Sequence, residues 1–337
     1  MPKEAKAKMN RSKLNKTAGL VFILASLLSF SSSANAQSVR SRGMGGAFIG
    51  LSNDESATIY NPAGLSQIEG REASIQAKVN ERDIYEWQSL AFTGHIYEGE
   101  EENRFSITDY LEHNILEEPI PRKPKYSYGF SYAQDKRKLG FGELMGGDYT
   151  GVERDVSDLQ LAFATRFPIA RRMLAREALY GGIKFRYLEV ERKVRGGKAT
   201  NRETLSMGAG LMYHYNDQLS LGLTLDNLLE NVKGDNNTKE DGVSFNLGAA
   251  YEVAKGTVLA IDGVNLTESC DSMERQYRIG IEKKFVENDL TMRVGSLNGT
   301  LTLGFGMNII PNVRVDYSYY DGDVIAEHHI GAHLSFD

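Results

Sequence analysis

Cysteine is all but missing from this chain. Its 337 residues contain one, Cys270, so no internal disulfide can form and a small disulfide-stapled domain is excluded. No stretch beyond residue 36 approaches the roughly 20 apolar residues that a membrane-spanning helix needs. The mean hydropathy of −0.38 is mildly hydrophilic. Catalytic signatures are missing too: there is no G-x-S-x-G, no H-E-x-x-H and no cysteine–histidine pairing. No catalytic residue is assigned, and the chain is not read as an enzyme.

Positive charge is scarce once the N-terminus is set aside. Lys3, Lys6, Lys8, Arg11, Lys13 and Lys16 form a basic region, Leu20 to Phe30 a short apolar one, and Ala34-Asn35-Ala36 an A-x-A cleavage site. This is the pattern of a secretory signal peptide over residues 1–36, with Met9 as a second candidate start. No cysteine follows the apolar region, which argues against a lipoprotein anchor. Removing residues 1–36 takes six of the 39 basic side chains and one of the 45 acidic ones. That leaves 33 against 44, a net charge of −11. An acidic exported chain is a poor nucleic-acid binder. Export without disulfides points to a bacterial envelope. Two classes remain, a soluble secreted protein and a transmembrane β-barrel, which hides its apolarity by alternating it with polar residues.

What the chain does have, from about residue 70, is a period of two. Tyr126, Tyr128, Phe130 and Tyr132 share one face, against Ser127, Gly129, Ser131 and Ala133. Leu219 to Asp226 sets four leucines against Ser220, Gly222, Thr224 and Asp226. Leu301 to Ile309 and Val313 to Tyr319 repeat the pattern. Similar segments begin near residues 71, 87, 155, 178, 203, 243, 257, 275, 289 and 326, which predicts about fourteen strands. The apolar set carries very few charges. The opposite set carries Lys184, Arg186, Arg278, Glu282, Arg293, Arg314 and Asp316 among Ser and Gly. A charge facing lipid at the bilayer midplane costs about 2–4 kcal/mol, so in a barrel these seven residues face the lumen. They are read as an internal salt-bridge network, with Arg314 and Asp316 near Arg278 and Glu282, rather than as an acid–base pair. A soluble β-sandwich would turn the apolar set inward instead.

The connections separate the two classes. Asn216–Gln218, Ala254–Gly256, Val286–Asn288 and Pro311–Asn312 are short. Gln134–Arg154, Arg192–Arg202, Asn227–Asp241 and Thr267–Glu274 are longer and polar. Short periplasmic turns alternating with longer outer loops are the habit of bacterial outer-membrane barrels. The alternation places both termini in the periplasm, as an even strand number requires. Asn298-Gly299 predicts a tight type I′ turn on the outer side. Residues 96–124 are either a long periplasmic excursion or contain one extra strand around Arg104 to Ile107. Pro168 to Arg176 reads as a short, basic, helical turn. The last strand, Glu327 to Phe336, ends on an aromatic residue followed by Asp337. The reading is therefore an all-β transmembrane antiparallel barrel over residues 70–337, in the outer membrane of a diderm bacterium.

Residues 37–69 fit neither strand nor long helix. Gly43, Gly45, Gly46 and Gly50 suggest a dinucleotide loop, but the third glycine of G-x-G-x-x-G would fall at Phe48 and no strand precedes it. Glycines also let a backbone turn sharply or pass close to a wall. Asn53-Asp54 can cap a short helix over Glu55 to Tyr60; Pro62 would end it and Gly64 would allow the turn. His329 and His333 share the lumen face of one strand but lie about 13 Å apart at ~3.3–3.4 Å per residue. One metal cannot bridge them, so His328, His329 and His333 are assigned to no metal, and no cofactor is called for.

Gly43-Met-Gly-Gly-Ala-Phe, Asn53-Asp-Glu-Ser-Ala57 and Tyr60-Asn-Pro-Ala-Gly-Leu65 together resemble the start of FadL-like outer-membrane proteins, most nearly the PorV/PorQ and UPF0164 branch. Residues 155–187 and 289–336 are similar to strands of that branch. The resemblance implies a fourteen-stranded barrel whose lumen holds an N-terminal hatch containing Gly43, Gly45, Gly46, Asp54, Asn61, Pro62, Ala63 and Gly64. It also implies passive passage of small hydrophobic compounds, which bind outside the hatch, pass a small rearrangement and can leave sideways through the wall. The alternative it implies is a non-transporting barrel of the PorV kind, a secretion subunit that binds envelope proteins. Outer-membrane lipid is a partner in both readings.

Overall fold

The computed structural model describes residues 38–79, 85–97, 124–139, 152–167, 177–194, 199–234, 242–269, 274–285, 289–321 and 326–336. Residues 1–36, read above as a signal peptide, most of 96–124, Pro168 to Arg176, the turn Val286–Asn288 and Cys270 lie outside them.

Fourteen strands alternate along the chain: β1 (Arg71–Val79), β2 (Tyr85–Ile96), β3 (Tyr126–Leu139), β4 (Val152–Phe167), β5 (Ala178–Val194), β6 (Thr200–His214), β7 (Leu219–Gly234), β8 (Ser244–Ala254), β9 (Thr257–Val264), β10 (Gln276–Phe285), β11 (Leu290–Leu297), β12 (Thr300–Ile310), β13 (Val313–Tyr320) and β14 (Glu327–Phe336). Each pairs antiparallel with its sequence neighbour. β1 pairs with β14, from Arg71↔Phe336 to Val79↔His328, and closes the sheet into a barrel. Closure removes every open edge, which a sheet in hydrocarbon requires because lipid offers no hydrogen-bond partner.

Burial follows the period of two. Phe305 is 48 % exposed, whereas Thr302, of opposite parity on the same strand, is 2 % exposed. Leu205, Leu211, Ile261, Ile281 and Val294 stand outward in the same way. A soluble sandwich would bury this set. A barrel that turns it outward is built for a bilayer. Asn298 and Gly299, with φ of 50° and 93°, join β11 to β12 with both central residues left-handed, as a type I′ turn requires.

The wall is uneven. β3 to β7 have 14 to 17 residues, and β8 to β14 have 8 to 11. Loops read as starting at Gln134, Arg192 and Asn227 instead begin as strand, which runs to Leu139, Val194 and Gly234. The ladder continues through pairs such as Glu203↔Lys233, where both faces are polar. Alternation marks only the part of a strand that meets lipid; backbone pairing needs no apolar side chain.

Candidate functional site

Among the described residues, three short elements precede β1: α1 (Val39–Gly43), α2 (Ala57–Tyr60) and a 3-10 helix (Pro62–Gln67). Each is too short to hold itself together in water, so its stability must come from what surrounds it. The surroundings are the inner faces of the strands. Val39 N–H donates to Gln76 Oε1 of β1 at 2.7 Å, and Gly45 N–H to Thr302 Oγ1 of β12 at 2.9 Å. Asp262 Oδ2 of β9 accepts from both Phe48 and Ile49 N–H, at 2.6 and 2.8 Å. Ser220 Oγ of β7 donates to Gly50 O at 2.6 Å, Asn61 Nδ2 to Leu211 O of β6 at 3.1 Å, and Lys184 Nζ of β5 to Ile59 O at 2.7 Å. A segment bonded to strands on every side of a closed barrel lies inside it. These contacts answer the need of irregular backbone for polar partners at membrane depth.

The lumen wall is shaved to admit this segment. Gly182, Gly210, Gly222, Gly248, Gly280 and Gly295 sit on the inner faces of six strands, and a Cβ at each would run into the N-terminal segment. The fit is reciprocal: a Cβ on Gly45, which has φ +64°, would meet the Ser296 backbone. Gly46, φ +77°, packs on the Arg278 side chain. The glycines at 43–46 read as a cluster in the sequence. Their counterparts on the strands, scattered one per strand, passed as ordinary small lumen residues. Small residues recurring on the lumen face of successive strands were the available signal.

One charged network ties segment to wall. Arg40 on α1 donates from Nε and Nη2 to both oxygens of Glu282, at 2.8 and 2.7 Å, and from Nη1 to Asn53 Oδ1 and Asp54 Oδ2, at 2.8 and 2.9 Å. Glu282 also accepts from Arg293 Nε at 2.7 Å; Arg293 Nη1 and Arg314 Nε each reach Asp316 at 2.7 Å. Arg40, Glu282 and Arg293 are all at most 5 % exposed. Burial alone would lower the basicity of Arg40, but the Glu282 and Asp54 carboxylates outweigh it and hold the charge firmly in place. Arg278 stands apart, bonded to Gln276 Oε1 and Gly46 O. Arg186 pairs with Asp158 at 2.7 Å and Lys184 with Asp226 at 2.8 Å. The expected grouping of Arg278 with Glu282 is thus replaced by one built on Arg40.

Two local expectations need correction. α2 starts at Ala57, and Asn53 and Asp54 do not cap a helix from Glu55. Asp54 Oδ1 accepts from Ser56 N–H at 3.0 Å and from Ser56 Oγ, while its other oxygen and Asn53 serve Arg40. Pro62 both ends α2 and opens the 3-10 helix, with Asn61 Oδ1 accepting from Ala63 N–H at 3.2 Å. Gly64 makes no left-handed turn; it is small because a Cβ there would strike the Ser52 carbonyl. Ala63, 0 % exposed, packs with Ala178, Tyr180 and Met212. Tyr60 packs tilted against Phe48, centroids 5.4 Å apart, and shares a 2.5 Å hydrogen bond with Ser41 Oγ. Burial pushes its phenol above the ordinary value, so it stays a neutral hydroxyl.

Two apolar features flank the segment. In the lumen, Ile59 packs with Ala133, Val156, Leu188 and Val190 of β3, β4 and β5. On the membrane side of β4 to β7, a cavity of about 500 Å³ is lined by Phe163, Ile183, Ala209, Leu211 and Leu225. Its floor includes Gly182 and Gly210, whose inner faces touch Pro62.

A closed fourteen-stranded barrel with an apolar outer belt and a folded N-terminal segment in its lumen has the fold of an outer-membrane β-barrel. Its fold is that of the FadL-type transport barrels. The toluene transporter TbuX of Ralstonia pickettii superposes with a TM-score of 0.54 at 12 % identity, over 88 % of this chain and 97 % of that one. The Pseudomonas putida toluene transporter TodX gives 0.54 at 12 %, over 90 % and 98 %. A Pseudomonas aeruginosa FadL homologue gives 0.51 at 10 %, over 91 % and 99 %. No family model and no curated protein matches the sequence.

Proposed function

We propose that this protein is a passive outer-membrane channel for small hydrophobic compounds, with residues 37–69 as a movable hatch and no coupling to an energy source. The observation that carries the reading is a thin place in the wall. At Gly182 and Gly210 only backbone separates the Asn61-Pro62 turn from an apolar cavity open to the membrane side. A small shift of that turn would join the lumen to this cavity. The Ile59–Leu188–Val190 patch offers an apolar molecule a foothold inside the lumen. Aliphatic and aromatic walls with few polar groups suit an uncharged, compact solute. The similar folds of the toluene transporters make monoaromatic hydrocarbons the first compounds to try. The finer placement, in the PorV/PorQ and UPF0164 branch, rests on the Gly43–Leu65 motif, and the signal peptide on residues 1–36.

The test is uptake across a lipopolysaccharide-bearing outer membrane in cells stripped of their own barrels of this type. Expression of this protein is expected to raise the rate of labelled toluene uptake, and Ala209→Trp, which fills the wall cavity from outside, to lower it. Uptake no faster than in empty-vector cells, with the barrel folded, would refute the channel reading. Copurification with envelope secretion proteins and no bound amphiphile would favour the protein-binding alternative.

A further inference from the structure

A second cluster joins the N-terminal segment to the wall at the β1–β14 seam, and it carries no role in the reading above. Glu55 precedes α2, Glu72 lies on β1 and His333 on β14. One ligand atom from each lies within 4.8 Å of the other two. His333 Nδ1 is 2.9 Å from Glu55 Oε2, and His333 Nε2 is 3.7 Å from Glu72 Oε1. Glu55 is 3 % and His333 7 % exposed. Despite this burial, Glu55 Oε2, Glu72 Oε2 and His333 Nδ1 each have no hydrogen bond of acceptable geometry. One orphaned buried atom is costly, about 1–3 kcal/mol. Here Glu55 Oε2 and His333 Nδ1 meet each other at 2.9 Å and Glu72 Oε2 has no hydrogen-bond partner, so one cation among the three side chains would serve all of them.

We propose that Glu55, Glu72 and His333 form a site for a divalent first-row transition cation of the Zn²⁺ type, which pins the hatch to the barrel seam. Two carboxylates and an imidazole are a donor set such ions accept, at about 2.0–2.2 Å per bond, with a further position left for water. The imidazole argues against Mg²⁺ and Ca²⁺, which take oxygen donors. The charge balance is favourable: two carboxylates face one dication. Arg314 is the nearby cation, and it is occupied by Asp316, which accepts from its Nε at 2.7 Å. Beside Glu55 and His333 is a void of about 10 Å³, bordered also by Ser38, Asp54 and Ser74. That is about the room one water needs. Glu72, near the start of β1, is the most exposed of the three, at 15 %. Sequence spacing hid the site, because its ligands are 17 and 261 positions apart along the chain (55 to 72 and 72 to 333).

The test uses the untagged full chain in detergent, stripped with chelator and titrated with ZnCl₂ by calorimetry. It is repeated with CoCl₂, whose visible spectrum reports an imidazole–carboxylate environment. One equivalent of Zn²⁺ is expected to bind. Glu55→Gln, Glu72→Gln and His333→Gln should each weaken binding at least about tenfold, the scale on which even outer-shell changes act. The altered electrophoretic mobility of the unheated barrel confirms that each variant is folded, and Glu72→Gln, the most exposed ligand, is the variant least able to disturb folding. Bound Zn²⁺ should also slow amide exchange at residues 53–60 in the wild type and not in His333→Gln. Binding equal in wild type and all three variants, or no binding, would show that Glu55 and His333 are an ion pair only. Binding that leaves exchange at 53–60 unchanged would refute the pinning. Neither readout depends on transport.

Discussion

Replacing Arg40 by methionine isolates what holds the hatch in place. Methionine keeps much of the buried stem but removes four hydrogen bonds, two to Glu282, one to Asp54 and one to Asn53. Breaking a buried ion pair by deleting one partner costs about 3–5 kcal/mol, chiefly because the remaining charge stays buried. The structure places this case at the low end. Glu282 keeps Arg293 at 2.7 Å, and Asp54 keeps its bonds from Ser56. About 3 kcal/mol is a loss of roughly two decades in the docked-to-undocked ratio. The barrel ladder itself is untouched, since Arg40 is on no strand. The assay is native-state hydrogen exchange of residues 38–52, with the barrel strands as internal reference. Arg40→Met is expected to speed exchange in 38–52 by about a hundredfold while the strands stay protected. Exchange within threefold of wild type would refute the idea that the network docks the hatch. Equal acceleration in the strands would show instead that segment and barrel form one cooperative unit.

Two further outcomes follow from other contacts. Gly45→Ala puts a Cβ at φ +64° and against the Ser296 backbone; left-handed strain alone is about 1–2 kcal/mol, so protease cutting in the 38–52 segment should rise at least tenfold, and unchanged cutting would count against the close fit. Leu303→Lys places a charge on the outward face of β12, where Leu303 is 42 % exposed; folding into vesicles, followed by denaturant titration, should lose about 2–4 kcal/mol, and a neutral result would mean that this face does not meet lipid.

The barrel was legible because its cause is local. Each strand carries its own period of two, and the choice between lipid and lumen is made residue by residue by the cost of a charge in hydrocarbon. Expected starts near 71, 178, 257 and 275 match strands beginning at Arg71, Ala178, Thr257 and Gln276. The strand ends of β3, β5 and β7 were illegible, because past the lipid both faces turn polar while backbone pairing goes on.

The amino-acid sequence by itself thus determined the architecture: fourteen alternating segments, their inward and outward faces, the alternation of turns, and a glycine-rich leader too irregular to be a strand. Only the tertiary structure decided what that leader touches. Arg40 meeting Glu282, Gly50 passing Gly248, and Glu55 arriving beside Glu72 and His333 depend on barrel closure, which brings β1 to β14 across 263 positions (72 to 335). No local pattern encodes such meetings. A residue's partner across a lumen is set by the register of every strand between them, and a shift of one residue would exchange the two faces.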